Sequence, residues 1–302
     1  MAAAKRIAGQ VIQTPLLPFE HQARRLWAKA ECLQPMGAFK LRGATNRLLQ
    51  LDEAERARGV VAFSSGNHAQ GVALAAKRLG IHATIVMPAD APAVKLEATR
   101  GYGAEIITYD RATGSREEIG ARLAAERGAT LVPSFDDVDV IEGQGTVGFE
   151  IAEQLGRQPP LVVTPCGGGG LAAGIALALP ESRIVIAEPE GWDDMARSLA
   201  GGAIMPVEEP APPTRCDALQ TKMVSPLTFG ALRDAGASGV AVSEDEVAAA
   251  MRFAFSTLRV VAEPGGAAAL AALTSGAWVP PPGARVAVVL CGSNTDPASV
   301  TG

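Results

Sequence analysis

Lys40 lies in the stretch GAFKLRGATN, residues 37–46, between the apolar residues Phe39 and Leu41. An ammonium group drawn into an apolar environment loses its proton more readily, and a deprotonated lysine is a nucleophile. A solvated lysine at the end of a strand or helix could carry the same ten residues. The stretch by itself therefore leaves both interpretations open.

Four consecutive glycines, Gly167 to Gly170, follow an apolar run in LVVTPCGGGGLAAGIALAL, residues 161–179. Consecutive glycines let the backbone approach an anion closely, and the N–H groups at the start of the following helix can then bind it. A tight turn without a ligand needs only about one or two glycines. The pattern therefore predicts a phosphate site, and the missing G-K-[ST] excludes one of the Walker type.

The same loop also fits a dinucleotide fingerprint, because Gly167-x-Gly169-x-x-Ala172 matches G-x-G-x-x-[GA]. Glu188 ends the next predicted strand, about where a ribose-binding acid is expected. A single match of this kind has low specificity. It nevertheless keeps a nicotinamide-dependent enzyme as a competing interpretation.

Polar residues also cluster at a predicted junction between a strand and a helix, in SSGNHAQG, residues 64–71. Hydroxyl, amide and backbone N–H groups at a helix N-terminus suit a carboxylate or another anion. The side chains in question are those of Ser64, Ser65, Asn67 and His68. Capping of the following helix by Ser65 or Asn67 explains the same residues equally well.

A third candidate follows the apolar run of VAVVLCGSNTD, residues 286–296. Ligands of open α/β sheets bind beyond the carboxyl ends of the strands, where Cys291 and Asn294 would lie. A single buried cysteine is more often inert packing, so this stretch alone decides nothing.

The elements that must position these residues follow an alternating pattern. Short apolar runs predict strands, and the amphipathic stretches between them predict helices that end at Gly80 and Gly128. Predicted strands cover residues 59–65, 82–88, 104–110, 161–166 and 183–188. Predicted helices cover residues 67–80, 91–101, 115–128, about 142–156 and a stretch from about 170. This alternation predicts an α/β protein with two mostly parallel sheets, covered by helices on both faces.

The bulk properties limit the function classes. A length of 302 residues suggests about two domains, and a net charge of -5 argues against nucleic acid or an anionic membrane as partner. No apolar run approaches the roughly 18 residues of a membrane helix, and the N-terminus lacks the apolar core of a secretory signal. The four cysteines form no C-x-x-C pair. We therefore expect a cytoplasmic protein without a zinc site or a disulfide framework.

Five motifs occur in an order and at spacings that resemble the fold-type II pyridoxal-phosphate enzymes. They are GAFKLRGA, SSGNHAQG, CGGGGLAAG, VAEPGGAAAL and VVLCGSN. The nearest branch resembles the threonine and serine dehydratases, with serine racemase and hydroxyaspartate dehydratase as close relatives. The resemblance implies a two-domain fold like that of the tryptophan synthase β subunit and a homodimer. It assigns residues 1–45 and 132–302 to a large cofactor-binding domain, and residues 46–131 to a small domain that closes on the substrate.

The resemblance also implies roles for individual residues. Lys40 would form a Schiff base with pyridoxal 5'-phosphate, with Phe39 packed against the ring. Cys291 would face the pyridine nitrogen, and Ser65 matches the acid/base on the second face in racemases. Gly167, Gly168, Gly169 and Gly170 would bind the phosphate. Asn67 would contact the ring hydroxyl, and the substrate carboxylate would be held by Ser64, Ser65, Asn67 and His68.

The implied reaction is elimination of water and ammonia from a 3-hydroxy amino acid, L-threonine or L-serine, to give a 2-oxo acid. A thiol cannot protonate the ring nitrogen as a carboxylate would, so Cys291 disfavours a long-lived carbanion and transamination. Serine racemase and 3-hydroxyaspartate dehydratase activities on the same cofactor are the alternatives.

The stretch AEPEGWDD, residues 187–194, aligns with a metal loop of serine racemase and some dehydratases. The resemblance implies that Glu188, Asp194 and the carbonyl of Trp192 bind Mg²⁺ or Ca²⁺, because such cations prefer oxygen ligands. An acidic, solvated loop is the alternative, and the nicotinamide interpretation also claims Glu188.

Two departures from the family pattern matter. The stretch before the lysine motif is shorter than the family norm, so we expect trimmed N-terminal strands. The chain ends shortly after CGSNTD without a regulatory domain, so we expect no allosteric control by isoleucine.

Overall fold

The computed structural model describes residues 2–91 and 93–296 and divides the chain into two compact units. Unit 1 consists of Met1–Ile12 and Lys40–Gly143, and unit 2 consists of Gln13–Phe39 and Gln144–Gly302.

The helices are α1 Ala2–Arg6, α2 Lys40–Leu49, α3 Glu53–Arg58, α4 Asn67–Leu79, α5 Ala93–Gly101, α6 Arg116–Arg127, α7 Val138–Leu155, α8 Gly170–Ala178, α9 Asp194–Gly201, α10 Pro226–Asp234, α11 Glu244–Phe253 and α12 Pro264–Thr274. The strands are β1 Leu16–His21, β2 Arg24–Ala30, β3 Val60–Phe63, β4 Ala83–Pro88, β5 Glu105–Tyr109, β6 Thr130–Leu131, β7 Leu161–Pro165, β8 Arg183–Pro189, β9 Ser238–Val242 and β10 Val286–Leu290. Short 3₁₀ turns cover Glu31–Leu33 and Asp217–Leu219, and a π-helical turn covers Ala254–Leu258.

Unit 1 is built on a parallel four-stranded sheet in the order β5-β4-β3-β6. Val61 and Phe63 of β3 pack with Leu123 of α6. Side chains alternate between the faces of a strand, so Val60 and Ala62 point to the opposite face, where both are also buried. Helices therefore cover both faces of this sheet, as predicted.

Unit 2 is built on a six-stranded sheet in the order β1-β2-β10-β7-β8-β9, with every pair parallel except β1 and β2. One face packs Val286, Val288 and Leu290 into the main hydrophobic core. Ala287 and Val289 on the opposite face are fully buried as well. A strand that is apolar on both faces explains the uninterrupted apolar run in the sequence.

The alternating pattern correctly predicted strands β3, β4, β5, β7 and β8 and helices α4 to α8. Gly80 and Gly128 follow α4 and α6 in the left-handed conformation, with φ of +67° and +62°, so both helices end as expected. Helix α7 begins at Val138, four residues before the predicted start near 142. The stretch before the lysine motif contains β1 and β2, which form an antiparallel pair of six and seven residues.

Unit 1 has wider boundaries than the predicted small domain of residues 46–131, since it also contains α2 and the start of α7. Helix α2 belongs there because it packs closely against α4. A Cβ atom on Gly71 of α4 would lie 3.1 Å from the carbonyl carbon of Lys40. Across residues 2–91 and 93–296, no helix combines the length and apolar character needed to cross a membrane.

Candidate active site

Lys40 is the first residue of α2 and is half-buried in unit 1. Its Nζ atom donates a hydrogen bond to the carbonyl oxygen of Ser134 at 2.7 Å. Gly71 lets α4 pass this backbone, because any larger residue would press on the Lys40 carbonyl. The lysine is therefore held by an uncharged acceptor, and the solvated-lysine interpretation does not describe it.

The polar cluster of residues 64–68 lies at the start of α4, as predicted. Gly66, and not Ser65 or Asn67, is the N-cap residue, and it has no side chain that could cap the helix. The Ser64 hydroxyl accepts instead from the N–H of Gly66, at 3.1 Å. Capping by Ser65 or Asn67, the alternative explanation of this cluster, is therefore wrong.

His68 is 2% exposed, and its Nε2 atom lies 2.8 Å from the carbonyl oxygen of Val132. Its Nδ1 atom is buried and has no hydrogen-bond partner among the residues that the structure describes. Burial, and secondarily the positive charge of Lys40, lower the pKa of His68 to about 3. The imidazole is therefore neutral at physiological pH.

The glycine loop of unit 2 runs from the end of β7 into α8. Gly169 is the N-cap residue with φ of +85°, and no side chain caps the helix. A Cβ atom there would lie 2.7 Å from Cε of Met195, and one on Gly167 would lie 3.1 Å from Cα of Leu219. Glycine is thus required by conformation at Gly169 and by close packing at both positions. The exposed N–H groups of such a helix start suit a phosphate.

Cys291 directly follows β10 and is 3% exposed. Its Sγ atom lies 3.9 Å from the carbonyl oxygen of Gly265. Its own carbonyl accepts a hydrogen bond from the N–H of Phe39 at 3.1 Å, and the Asn294 side chain donates to the carbonyl of Met36 at 2.9 Å. The segment that leads to Lys40 is thereby fastened to the end of β10.

Glu188 and Asp194 form a buried carboxylate pair, being 0% and 1% exposed. Glu188 accepts from the N–H groups of Met195 and Ala196, at 3.3 and 2.8 Å, and so satisfies the start of α9. One oxygen of Asp194 accepts from the N–H of Val224 at 3.0 Å. The other oxygen, Oδ1, is buried and has no partner in the described part of the chain.

The electrostatics of this pair fit a bound cation or a retained proton. Burial and the charge of Asp194 raise the pKa of Glu188 well above its usual range. Burial raises the pKa of Asp194 from 3.8 to about 6. Within residues 2–91 and 93–296, no group of three or more His, Cys, Asp or Glu side chains could hold a metal ion, so any cation here depends on two carboxylates and main-chain oxygens.

A lysine amine and an anion-binding glycine loop are two features that enzymes of pyridoxal phosphate use. Unit 1 supplies a lysine amine and an uncapped helix start, and unit 2 supplies a glycine cradle that a Cβ atom would fill. A family model described as "Pyridoxal-phosphate dependent enzyme" matches residues 7–292. The chain belongs to this family. The nicotinamide interpretation is wrong, and Glu188 is already engaged by the main chain of α9.

Three relatives of this pyridoxal-phosphate enzyme illustrate its neighbourhood. The L-threo-3-hydroxyaspartate ammonia-lyase of Pseudomonas sp is 43% identical, over 97% of this chain and 93% of the relative. The structure of maize serine racemase is 37% identical with a TM-score of 0.92, covering 99% of this chain and 94% of the other. The structure of a threonine deaminase from T.th. is 42% identical with a TM-score of 0.89, covering 98% of this chain and 97% of the other. The dehydratase branch suggested by the motifs is thus confirmed.

Sequence reasoning missed the residues that hold the site residues in place. Ser134 and Val132 act through main-chain carbonyls, which leave no signature in the sequence. The sequence placed Asn294 beyond a strand end but gave no sign of its hydrogen bond to Met36. Gly71 lies inside the quoted motif SSGNHAQG, so its position was visible although its packing role was not.

Proposed function

We propose that this pyridoxal-phosphate enzyme converts a 3-hydroxy amino acid, L-threonine or L-serine, to a 2-oxo acid and ammonia by α,β-elimination followed by hydrolysis. The observation that carries the proposal is Cys291, a buried thiol at the end of β10 where the resemblance assigns the contact to the ring nitrogen. A thiol leaves that nitrogen unprotonated, which weakens the electron withdrawal available for a long-lived carbanion.

The bound cofactor supplies one thing, namely electron withdrawal that makes the α-proton of the amino acid acidic. Lys40 takes that proton at Nζ, and the carbonyl of Ser134 accepts one of the resulting N–H groups. The N–H groups at the start of α8 bind the phosphate, and Asn67 contacts the ring hydroxyl. Phe39 packs against the ring.

The substrate carboxylate binds at the start of α4, where Ser64, Ser65, Asn67 and His68 lie. The β-hydroxyl leaves with a proton as water, and the product is an enamine. One water then hydrolyses the enamine to the 2-oxo acid and ammonia, so the water released is balanced by the water consumed.

Departure of the β-hydroxyl removes the negative charge that develops at Cα. Racemisation instead requires this charge to persist until Cα is reprotonated from the other face. The neutral thiol at Cys291 favours the first outcome. Ser65 is the acid for the second outcome, and its hydroxyl makes some racemisation expected.

L-threo-3-hydroxyaspartate is the second candidate substrate. It is favoured by the Pseudomonas sp relative, which is 43% identical and is named for that reaction. Both candidates undergo the same elimination and differ only in the group attached to the β-carbon.

Glu188, Asp194 and the carbonyl of Trp192 are proposed to bind Mg²⁺ or Ca²⁺. The unpartnered Oδ1 atom of Asp194 and the raised pKa values of both carboxyls support this proposal. A divalent cation would replace the protons that two buried carboxylates otherwise retain. The enzyme is further proposed to act as a cytoplasmic homodimer, as the family resemblance implies.

The test uses purified holoenzyme. A visible absorption band that borohydride abolishes would report the cofactor bound to a lysine. Each enantiomer of threonine, serine and threo-3-hydroxyaspartate is then supplied, and 2-oxo acid, ammonia and the opposite enantiomer are measured. We expect 2-oxo acid and ammonia as the main products from at least one L-substrate. Faster appearance of the opposite enantiomer in every case would make the enzyme a racemase.

A further inference from the structure

The hydrogen bond of His68 fixes which of its ring nitrogens carries the proton. The Val132 carbonyl can only accept, so Nε2, which lies 2.8 Å away, must be the donor. In a neutral imidazole the other nitrogen, Nδ1, then carries a lone pair and can only accept. His68 is 2% exposed, and its pKa of about 3 keeps the ring neutral.

Nδ1 is thus a buried acceptor without a donor among the described residues. Buried polar atoms are rarely left unsatisfied, and those at functional sites usually meet a ligand or a moving group. A carboxylate has no proton to donate, so the side chain of His68 cannot hold the substrate carboxylate. Of the groups of His68, only the main-chain N–H can take the predicted part in binding the carboxylate.

Lys40 supplies a donor in the same region of unit 1. The Val132 carbonyl accepts from His68, and the Ser134 carbonyl, two residues later, accepts from Lys40. The N–H of Val132 donates to the carbonyl of Val61 at 2.8 Å, which ties this segment to β3. The charge of Lys40 is close enough to contribute to the lowered pKa of His68.

We propose that His68 is a positioning residue for Lys40, whose ammonium group donates to Nδ1 of His68 whenever the amine is charged, both in the cofactor-free protein and when it has taken the α-proton. The Ser134 carbonyl accepts a second N–H of the same group. Two neutral acceptors orient the ammonium without the strong charge pairing of a carboxylate, so Lys40 can give up its proton again. The inference rests on the proposed function only in naming the step at which the ammonium forms.

Two substitutions separate the two nitrogens of the ring. The amide nitrogen of Gln reaches the position of Nε2, so His68→Gln keeps the bond to Val132 and loses the acceptor at Nδ1. The amide oxygen of Asn occupies the position of Nδ1, so His68→Asn keeps that acceptor and loses the bond to Val132. If the role of His68 is merely structural, the variant that loses the bond to Val132 should be affected more. If His68 positions Lys40, the variant that loses the acceptor at Nδ1 should be affected more.

The first measurement is the labelling rate of Lys40 by an amine reagent in the cofactor-free protein, read by mass spectrometry. Exposed Lys77 serves as the internal reference. Losing an acceptor that stabilises the charged amine should make more of it neutral. We therefore expect Lys40 to react about tenfold faster in His68→Gln and at the wild-type rate in His68→Asn, the size expected for a hydrogen bond to a charged group. Wild-type labelling in His68→Gln would overturn the proposal.

Nitrogen NMR of the wild-type protein provides a test that does not depend on the folding of a histidine variant. The chain has three histidines, so a ¹⁵N-histidine spectrum is simple to assign. We expect Nδ1 of His68 at the shift of an unprotonated nitrogen, moving when Lys40 is replaced in Lys40→Ala. A protonated Nδ1, or a shift that is unchanged in Lys40→Ala, would contradict the proposal.

Turnover of the holoenzyme then connects this arrangement to catalysis. His68→Gln should lower kcat about tenfold with little change in KM, and it should lower kcat more than His68→Asn does. The reverse order of the two variants would assign His68 to a structural role. If no 3-hydroxy amino acid is turned over, the proposed function fails while labelling and NMR still decide the role of His68.

Discussion

Two helix starts, one in each unit, differ from four others in how their N–H groups are satisfied. Helices α4 and α8 begin after Gly66 and Gly169, and no side chain caps them. Helices α9 and α12 also lack a side-chain cap from their N-cap residues, Asp193 and Glu263. Helices α3, α6, α10 and α11 are capped by the side chains of Asp52, Ser115, Ser225 and Ser243. The two helix starts that we assign to ligands therefore have no capping side chain at the N-cap position, whereas these four helices do.

The two uncapped starts also differ from each other. At α4 the glycine is followed by Asn67 and His68, whose side chains can take part in chemistry. At α8 it lies among glycines and is followed by apolar residues, so only the main chain can bind. We infer that unit 1 supplies the side chains that move protons and unit 2 a main-chain anchor. Substitutions in the first should change the reaction, and those in the second should change affinity.

The largest effect is expected from Lys40→Ala, which removes the proposed base and the cofactor attachment. Turnover should fall by about a thousandfold or more, because an oriented acid/base contributes roughly 10²–10⁴. Phosphate anchoring through the glycine loop should persist, so the variant should still bind the cofactor without a borohydride-stable adduct. Mass spectrometry after reduction and a rate assay check both statements. Lys77→Ala is the control, and an adduct on Lys77 instead would show that the assignment is wrong.

Gly169→Ala should instead lower the affinity for pyridoxal phosphate. The new Cβ would meet Met195 at 2.7 Å in a backbone with φ of +85°, so we expect about 1–3 kcal/mol lower free energy of unfolding. Pyridoxal phosphate should bind about tenfold or more weakly while the chemistry of the bound fraction is preserved. Gly230→Ala, at a helix position with no atom within 4 Å, should be neutral or slightly stabilising. An unchanged affinity for pyridoxal phosphate in Gly169→Ala would show that Gly169 does not help to anchor the cofactor.

The carboxylate pair should make stability depend on divalent cations. A cation at about a hundred times its Kd should raise the free energy of unfolding by about 2.7 kcal/mol. Asp194→Asn should abolish this gain, whereas Asp193→Asn in the same loop should keep it. Calorimetric titration of cation-free protein with Mg²⁺ and Ca²⁺ provides the check, and an absence of heat in well-folded protein would rule the site out.

The same site has a defined pH dependence. Because the pKa of Asp194 is raised to about 6, its protonated form stabilises the cation-free protein fully below about pH 4, and this contribution is lost as the pH rises through 6. Cations compete with that proton. Their stabilising effect should therefore be larger above pH 7 than at pH 5.

The remaining prediction concerns the ratio of racemisation to elimination. Ser65→Ala should reduce racemisation by about 10²-fold at most, the lower range for an acid/base, while elimination of the preferred enantiomer changes less. Chiral chromatography alongside a 2-oxo acid assay measures the ratio. Equal loss of both reactions would mean that Ser65 binds substrate and does not act as the acid on the second face.

The sequence by itself determined the α/β class, the order of ten strands and helices between residues 59 and 188, and the two glycine stops at Gly80 and Gly128. These features depend on residues close in the chain, through the periodicity of apolar side chains and the backbone freedom of glycine. The five motifs also identified the family, because their order and spacing can be read directly from the sequence.

Only the tertiary structure decided how the site residues are held. The Lys40 amine donates to the carbonyl of Ser134, 94 residues away in the chain. The tautomer of His68 is set by the carbonyl of Val132, 64 residues away. Every residue type carries such a carbonyl, so nothing in the identities of Val132 and Ser134 could reveal these contacts. The parallel pairing of β2 with β10 and the unsatisfied oxygen of Asp194 likewise arise from packing between distant segments. The sequence names the reactive groups, and long-range main-chain contacts decide which atom of each group is available for chemistry.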